Sequence, residues 1–156
     1  MRTGLKRLYW EISNNFSPQR RKERKGRHEM IKDEDTFSKE IIGAAIEVHR
    51  NLGPGLLESA YEECLCRELA ICNLTFERQK PLVISYKGVK LDCGYRLDIV
   101  VGGLVILELK AVERIEPIHE AQLLTYLKLS DLKLGILINF NVPLLKDGIK
   151  RIVNGL

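Results

Sequence analysis

Apolar positions along this chain repeatedly change period, and each change marks an element. Phe37, Ile41, Ala44, Ala45, Val48 and Leu52 recur at helical spacing, which predicts a helix with one apolar face, capped at Asp35-Thr36 and running to Leu52. Gly53-Pro54-Gly55 stops it. A second helix is predicted from about Leu56 to Ala70; Glu58 lies in line with Tyr61, Leu65 and Leu69, an acid on an otherwise core-facing stripe. Strand-like runs follow at Phe76–Ser85 and Val89–Asp92, joined by a turn at Lys87-Gly88, and then on either side of Gly102-Gly103. Pro117 suits the first turn of another helix, ending near Leu129. Lys133–Phe140 is a continuous apolar run, as expected of a strand buried on both faces, and Lys146–Val153 is a last short helix or strand.

The order is helix, helix, three or four antiparallel strands, helix, strand. A strand–helix–strand passage from Leu104 to Phe140 demands a crossover, right-handed by the usual rule. The expected fold class is α/β, a three-layer sandwich with a mixed central sheet flanked by helices on both faces.

One strand pair breaks the apolar pattern with charge. Asp98 and Glu108 sit in runs of Leu, Ile and Val, and Lys110 follows two residues later. Buried carboxylates and an amine are costly unless something holds them, and a divalent cation is the most economical candidate. Glu108 and Lys110, two apart, leave the same face of a strand. A two-residue turn at Gly102-Gly103 would pair 98 with 107 and put Asp98 on the opposite face from Glu108. A three-residue loop pairs 98 with 108 and unites them, and adjacent glycines make it accessible. An irregular hairpin is therefore predicted. Glu-x-Lys alone means little, since Glu23-Arg24-Lys25 matches it in a polar stretch.

Charge is unevenly placed along the chain. Residues 1–28 hold nine Lys/Arg against Glu11 and Glu23, so the formal +4 leaves −3 on the remainder. Overall charge thus does not mark residues 35–156 as a nucleic-acid binder. Residues 1–34 read as a basic extension, expected to be disordered: a tail, sequence upstream of a start at Met30, or an arm for phosphate backbones. Cys64, Cys66, Cys72 and Cys93 lack metal-ligand spacing, and free thiols suit a reducing, cytoplasmic setting. No run approaches the apolar length of a membrane span.

Gln122 and Tyr126 stand at i and i+4 on one helix face. Together with Val48-His49, Leu52-Gly53-Pro54-Gly55, the Gly55–Tyr61 string with Glu58, Asp98, Glu108-x-Lys110, Asn139–Pro143 and Lys146–Arg151, they carry a resemblance. From about residue 35 onward the chain resembles the GxxExxY family of the PD-(D/E)XK nuclease superfamily, although Leu97 stands where the superfamily's proline would be.

The resemblance implies a restriction-endonuclease-like core and a nuclease that hydrolyses phosphodiesters, of DNA ahead of RNA, with Mg²⁺ or Mn²⁺. Asp98, Glu108 and the carbonyl of Leu109 would hold the cation, and Glu58 would add a carboxylate. Lys110 would orient the attacking water, while Gln122 and Tyr126 would hold Lys110 or contact the substrate phosphate. Physics accords with this: carboxylates about 4 Å apart repel by about 4 kcal/mol per pair at an effective dielectric near 20, and Lys110 cancels only one charge. His49 near a helix end suits capping or packing better than catalysis, and His119 stays outside the site. Two other readings stay open: a nucleic-acid-binding module without turnover, and a partner-dependent subunit. A homodimer is compatible with any of them.

Overall fold

The computed structural model describes residues 18–155, with side chains from Glu34 onward. The chain divides at Asp35/Thr36 into two units, and the second, Thr36–Leu156, carries the fold described below. The elements are α1 (Pro18–Leu52), α2 (Glu58–Ile71), β1 (Phe76–Tyr86), β2 (Val89–Val101), β3 (Val105–Lys110), α3 (Pro117–Ser130), β4 (Leu134–Asn139), a 3₁₀ turn (Leu145–Gly148) and β5 (Ile149–Val153).

The five strands lie in chain order β1-β2-β3-β4-β5 in one mixed sheet. Every neighbouring pair is antiparallel except β3–β4, which α3 makes parallel by crossing over one face. Ile41, Ala44, Ala45 and Val48 of α1 and Tyr61, Leu65 and Leu69 of α2 pack on the face that includes Leu107, Leu109, Ile136 and Ile138. Leu123, Tyr126 and Leu127 of α3 pack on the other, against Val100, Ile106 and Leu137. This is the α/β sandwich expected from the hydrophobic pattern, consistent with a restriction-endonuclease-like core.

Close approach explains where α3 lies. Gly135 sits on β4 beside Ile106 of β3, and a Cβ there would come within 2.8 Å of the Leu123 side chain. Glycine thus lets α3 press onto the sheet, which brings Gln122 and Tyr126 over the end of β3. All six residues of β4 are buried, as its unbroken apolar run requires.

Two boundaries differ from the sequence expectation. The helix starts at Pro18 rather than near Asp35-Thr36, because the Arg/Lys/Glu-rich run lacks an apolar face but is made of good helix formers. Its side chains before Glu34, and residues 1–17 altogether, lie outside the described residues, as do the expectations for them. The runs at Val89–Asp92 and Tyr95–Val101 form one strand. What reads as a break is a bulge, where the register steps from Pro81↔Arg96 to Val83↔Asp92 around Gly94, whose φ is 75°. Lys146–Val153 resolves into a 3₁₀ turn and an edge strand.

Candidate active site

The hairpin between β2 and β3 sets the site's geometry. Its pairs are Ile99↔Leu107, Val100↔Ile106 and Val101↔Val105, leaving Gly102-Gly103-Leu104 as a three-residue loop. Both glycines have positive φ, 60° and 68°, a conformation costly for other residues. This is the irregular hairpin that the two acids require: the same register sets 98 opposite 108.

Pairing then stops, and Asp98 occupies the gap. Leu97 and Val100 pack on the α3 face while Ile99 and Val101 pack on the other, so alternation along β2 breaks at Asp98. Opposite Asp98 in the β1 register stands Gln79, with a left-handed φ of 47°. At this kink the Asp98 carboxylate turns toward β3 and accepts the backbone N–H of Leu109 through Oδ2 at 2.8 Å.

Glu108 and Lys110 project from the face that α3 covers. The Lys110 ammonium donates to Glu108 Oε1 at 2.7 Å, and both side chains are largely buried. Glu108 Oε2 is buried with no hydrogen-bond partner. Burial, then repulsion from Asp98, pushes the Glu108 carboxyl up to about 7 despite the Lys110 contact. Burial also raises Asp98, against the opposing pull of the Leu109 N–H and Lys110. For Lys110 burial acts downward, but the Glu108 hydrogen bond and the surrounding carboxylates outweigh it and the net shift is upward. Burial and the Glu108 charge raise the Tyr126 phenol.

Glu58 reaches the site from the opposite face. It is the first residue of α2, exposed, and its carboxylate accepts the Ala111 N–H in a long contact of 3.4 Å. Tyr61 explains how the loop before it is held. Its ring is fully buried and stacks on Phe140 at 4.4 Å, while its hydroxyl donates to the Gly53 carbonyl at 2.7 Å and accepts the Leu56 N–H at 3.1 Å. On the α3 side, the Gln122 amide donates to the Tyr126 hydroxyl at 2.8 Å, so the i, i+4 pair bonds to itself.

The six side chains gather around the end of β3. Glu58 borders a hollow of about 390 Å³ with Leu57 and Ala111. Gln122 and Tyr126 border a separate apolar cavity, and Asp98, Glu108 and Lys110 line neither. The polar trio is packed at the end of β3, with Glu58 within electrostatic reach of Glu108, and Tyr126 within reach of Glu108 and Lys110.

Among the described residues, no three His, Cys, Asp or Glu side chains are grouped so as to hold a metal ion. Mg²⁺ needs no such group, because it commonly takes one or two carboxylates and keeps its waters. The orphaned Glu108 oxygen and two carboxyls pushed upward by burial and by neighbouring carboxylates are what a hard cation would relieve. The residues fit the ion.

Neither His49 nor His119 joins the site. His49 bonds through Nε2 to the Val142 carbonyl at 2.8 Å, and His119 accepts the Glu116 N–H at the start of α3. Two supporting residues are given no role on the sequence. Glu62 is buried and receives Arg78 and Gln79, and its charge helps raise Asp98. Its spacing from Glu58, one helical turn, is the signal that could have exposed it. Asn139 clamps the segment leaving β3, accepting the Val112 N–H at 3.1 Å and donating to the Val112 carbonyl at 2.8 Å. A polar residue closing the apolar β4 run is the cue there.

The geometry accords with what comparison shows. A model of the PD-(D/E)XK nuclease superfamily matches residues 35–152, which include every residue of the candidate site. No curated protein and no solved structure matches the chain. The match extends from α1 through β5, and on it the chain belongs to the PD-(D/E)XK nuclease superfamily.

Proposed function

We propose that this chain is a metal-dependent nuclease of the GxxExxY family that hydrolyses phosphodiester bonds, with DNA ahead of RNA on the resemblance alone. The observation that carries the reading is Glu108 Oε2, buried without a partner beside the Asp98 carboxylate. Asp98, Glu108 and the Leu109 carbonyl would hold Mg²⁺ or Mn²⁺, with Glu58 adding a carboxylate directly or through water. A cation bound there supplies Lewis acidity and lowers the pKa of water at neutral pH.

The chain's own groups supply the rest. Asp98 is oriented by the Leu109 N–H, so its carboxylate does not have to be ordered when substrate arrives. Lys110 carries a proton stabilised by the surrounding carboxylates, and its ammonium offers positive charge to a non-bridging phosphate oxygen. The Gln122–Tyr126 pair presents an amide and a phenol beside it, able to donate to phosphate or to hold Lys110.

No described helix is long and apolar enough to cross a membrane, and a cytoplasmic enzyme acting alone, as a homodimer or with a partner protein completes the reading. Titration of Mg²⁺ and Mn²⁺ against labelled single- and double-stranded DNA and RNA tests it. Metal-dependent cleavage abolished by Asp98→Asn is the expected result. Binding without cleavage of any substrate would make the domain a non-catalytic module, and activity appearing only with a co-purified protein would make it a subunit.

A further inference from the structure

Beside the site lies a cavity of about 390 Å³ that the catalytic reading leaves unused. Leu82 and Ile84 of β1 and Tyr95 of β2 form one wall, and Ile118, Gln122 and Tyr126 of α3 form the other. Tyr95 is 46% exposed and Ile118 68% exposed, so large apolar surfaces face solvent at its mouth. The Tyr95 ring stands edge-on to Tyr126, with centroids 6.3 Å apart. Tyr126 in turn feels the charges of Glu108 and Lys110. The cavity therefore shares two residues, Gln122 and Tyr126, with the proposed catalytic centre.

Charge on the same arm is complementary to a polyanion. The outer β1–β2 hairpin exposes three cations, Lys87, Lys90 and Arg96, against one carboxylate between them, Asp92; Lys87 lies over the Tyr86 ring, and Arg96, on the sheet face away from Tyr95, donates to the Gln79 carbonyl. An aromatic face among aliphatic side chains, with an amide and a phenol at the inner end and cations outside, matches the chemistry of a planar base attached to a phosphate backbone. A base within a duplex has both faces covered by its neighbours and its pairing edge occupied. Only an unpaired base could enter.

We propose that this cavity takes an unpaired nucleobase of the substrate, stacked on Tyr95, and that the protein consequently prefers single-stranded or frayed nucleic acid over intact duplex. The inference rests on the nuclease reading for the identity of the ligand as nucleic acid, but its test does not depend on cleavage. DNA and RNA share the stacking chemistry, and separate arms of the experiment distinguish them.

Short single-stranded DNA and RNA oligonucleotides, each bearing one 2-aminopurine, are titrated with the full chain in EDTA, alongside the same sequences as duplexes. A fluorescence change on binding is expected for single strands, with the duplexes bound about tenfold more weakly. Tyr95→Ala should weaken single-strand binding about tenfold and remove the fluorescence change, while Tyr95→Phe should retain both. Ile118→Ser, at an exposed helix position, should weaken it in the same direction. Equal binding of Tyr95→Ala and the parent protein, or duplex bound as tightly as single strand, would overturn the proposal. Cleavage with no Tyr95 effect would leave the nuclease standing and remove the pocket. Tyr95-dependent binding of single strands without cleavage of any substrate would do the reverse.

Discussion

Asp98 accepts the backbone N–H of Leu109 at 2.8 Å at the point where β2 and β3 cease to pair. In a ladder that continued, residue 97 would face residue 109; here a side chain replaces the backbone partner. The sheet can therefore open beside Glu108 without orphaning a buried N–H, and the same contact aims a carboxylate into the opening. Fold and candidate chemistry share this one hydrogen bond.

Replacing Glu108 with Gln should raise stability in metal-free buffer, with a definite pH dependence. The carboxyl rises from 4.5 to about 7 on folding, so its contribution to stability is fully present below about pH 4.5 and is lost as pH rises through about 7. Glu108→Gln should thus gain about 1–3 kcal/mol over the parent at pH 8 and little near pH 4. Urea unfolding in EDTA at the two pH values measures this, and destabilisation at pH 8 would make the carboxylate structural. Cleavage should vanish in the same variant.

Lys110→Ala should separate turnover from metal affinity. The ammonium neutralises Glu108 Oε1 at 2.7 Å, so its removal leaves the carboxylates more negative. Turnover is expected to fall about 100-fold or more, with Mn²⁺ affinity by calorimetry unchanged or tighter. An affinity loss as large as the rate loss would reassign the lysine.

Tyr61→Phe removes one hydroxyl that holds two backbone groups of the loop before Glu58. A cost of about 1–3 kcal/mol is expected from the unpaired groups. If that loop positions Glu58, the rate loss should match that of Glu58→Gln, and the double variant should lose little more than either. Fully additive losses in a steady-state cleavage assay would disconnect the two residues.

The hairpin loop offers a test of register. Gly103 has φ 68° with open space where a Cβ would lie, so Gly103→Ala should cost about 1–2 kcal/mol of backbone strain and keep cleavage. Deleting Gly103 leaves Gly102 and Leu104 as a two-residue loop inside the same closing pair, Val101↔Val105, so Asp98 should stay opposite Glu108. Cleavage should then fall no further than the drop in melting temperature explains, and a loss far beyond it would overturn this register.

Much of the architecture is legible in local pattern. Helical spacing from Phe37 to Leu52, the unbroken apolar run into β4 and Pro117 opening α3 each depend on short-range chemistry. The three-residue hairpin also follows from local terms, because two glycines permit positive φ and strand alternation then admits only one register that unites the acids. The bulge at Gly94 is different. A lone glycine reads equally as a strand end or as a kink within a strand, and only pairing with β1 decides between them.

What tertiary structure decided is where distant groups meet. Glu58 comes to the end of β3 from the α2 face, Tyr126 comes from the α3 face, and Gly135 sets how closely α3 approaches. Spacing can mark Glu62 and Asn139 as candidates, but it does not specify that Glu62 would be buried near Asp98 or that Asn139 would clamp Val112. The amino-acid order by itself determined the elements, the hairpin register and the chemical types available, because these arise from neighbours a few residues apart. Burial, partners and raised carboxyl pKa values come from packing two helical layers onto one sheet, where desolvation depends on every element at once.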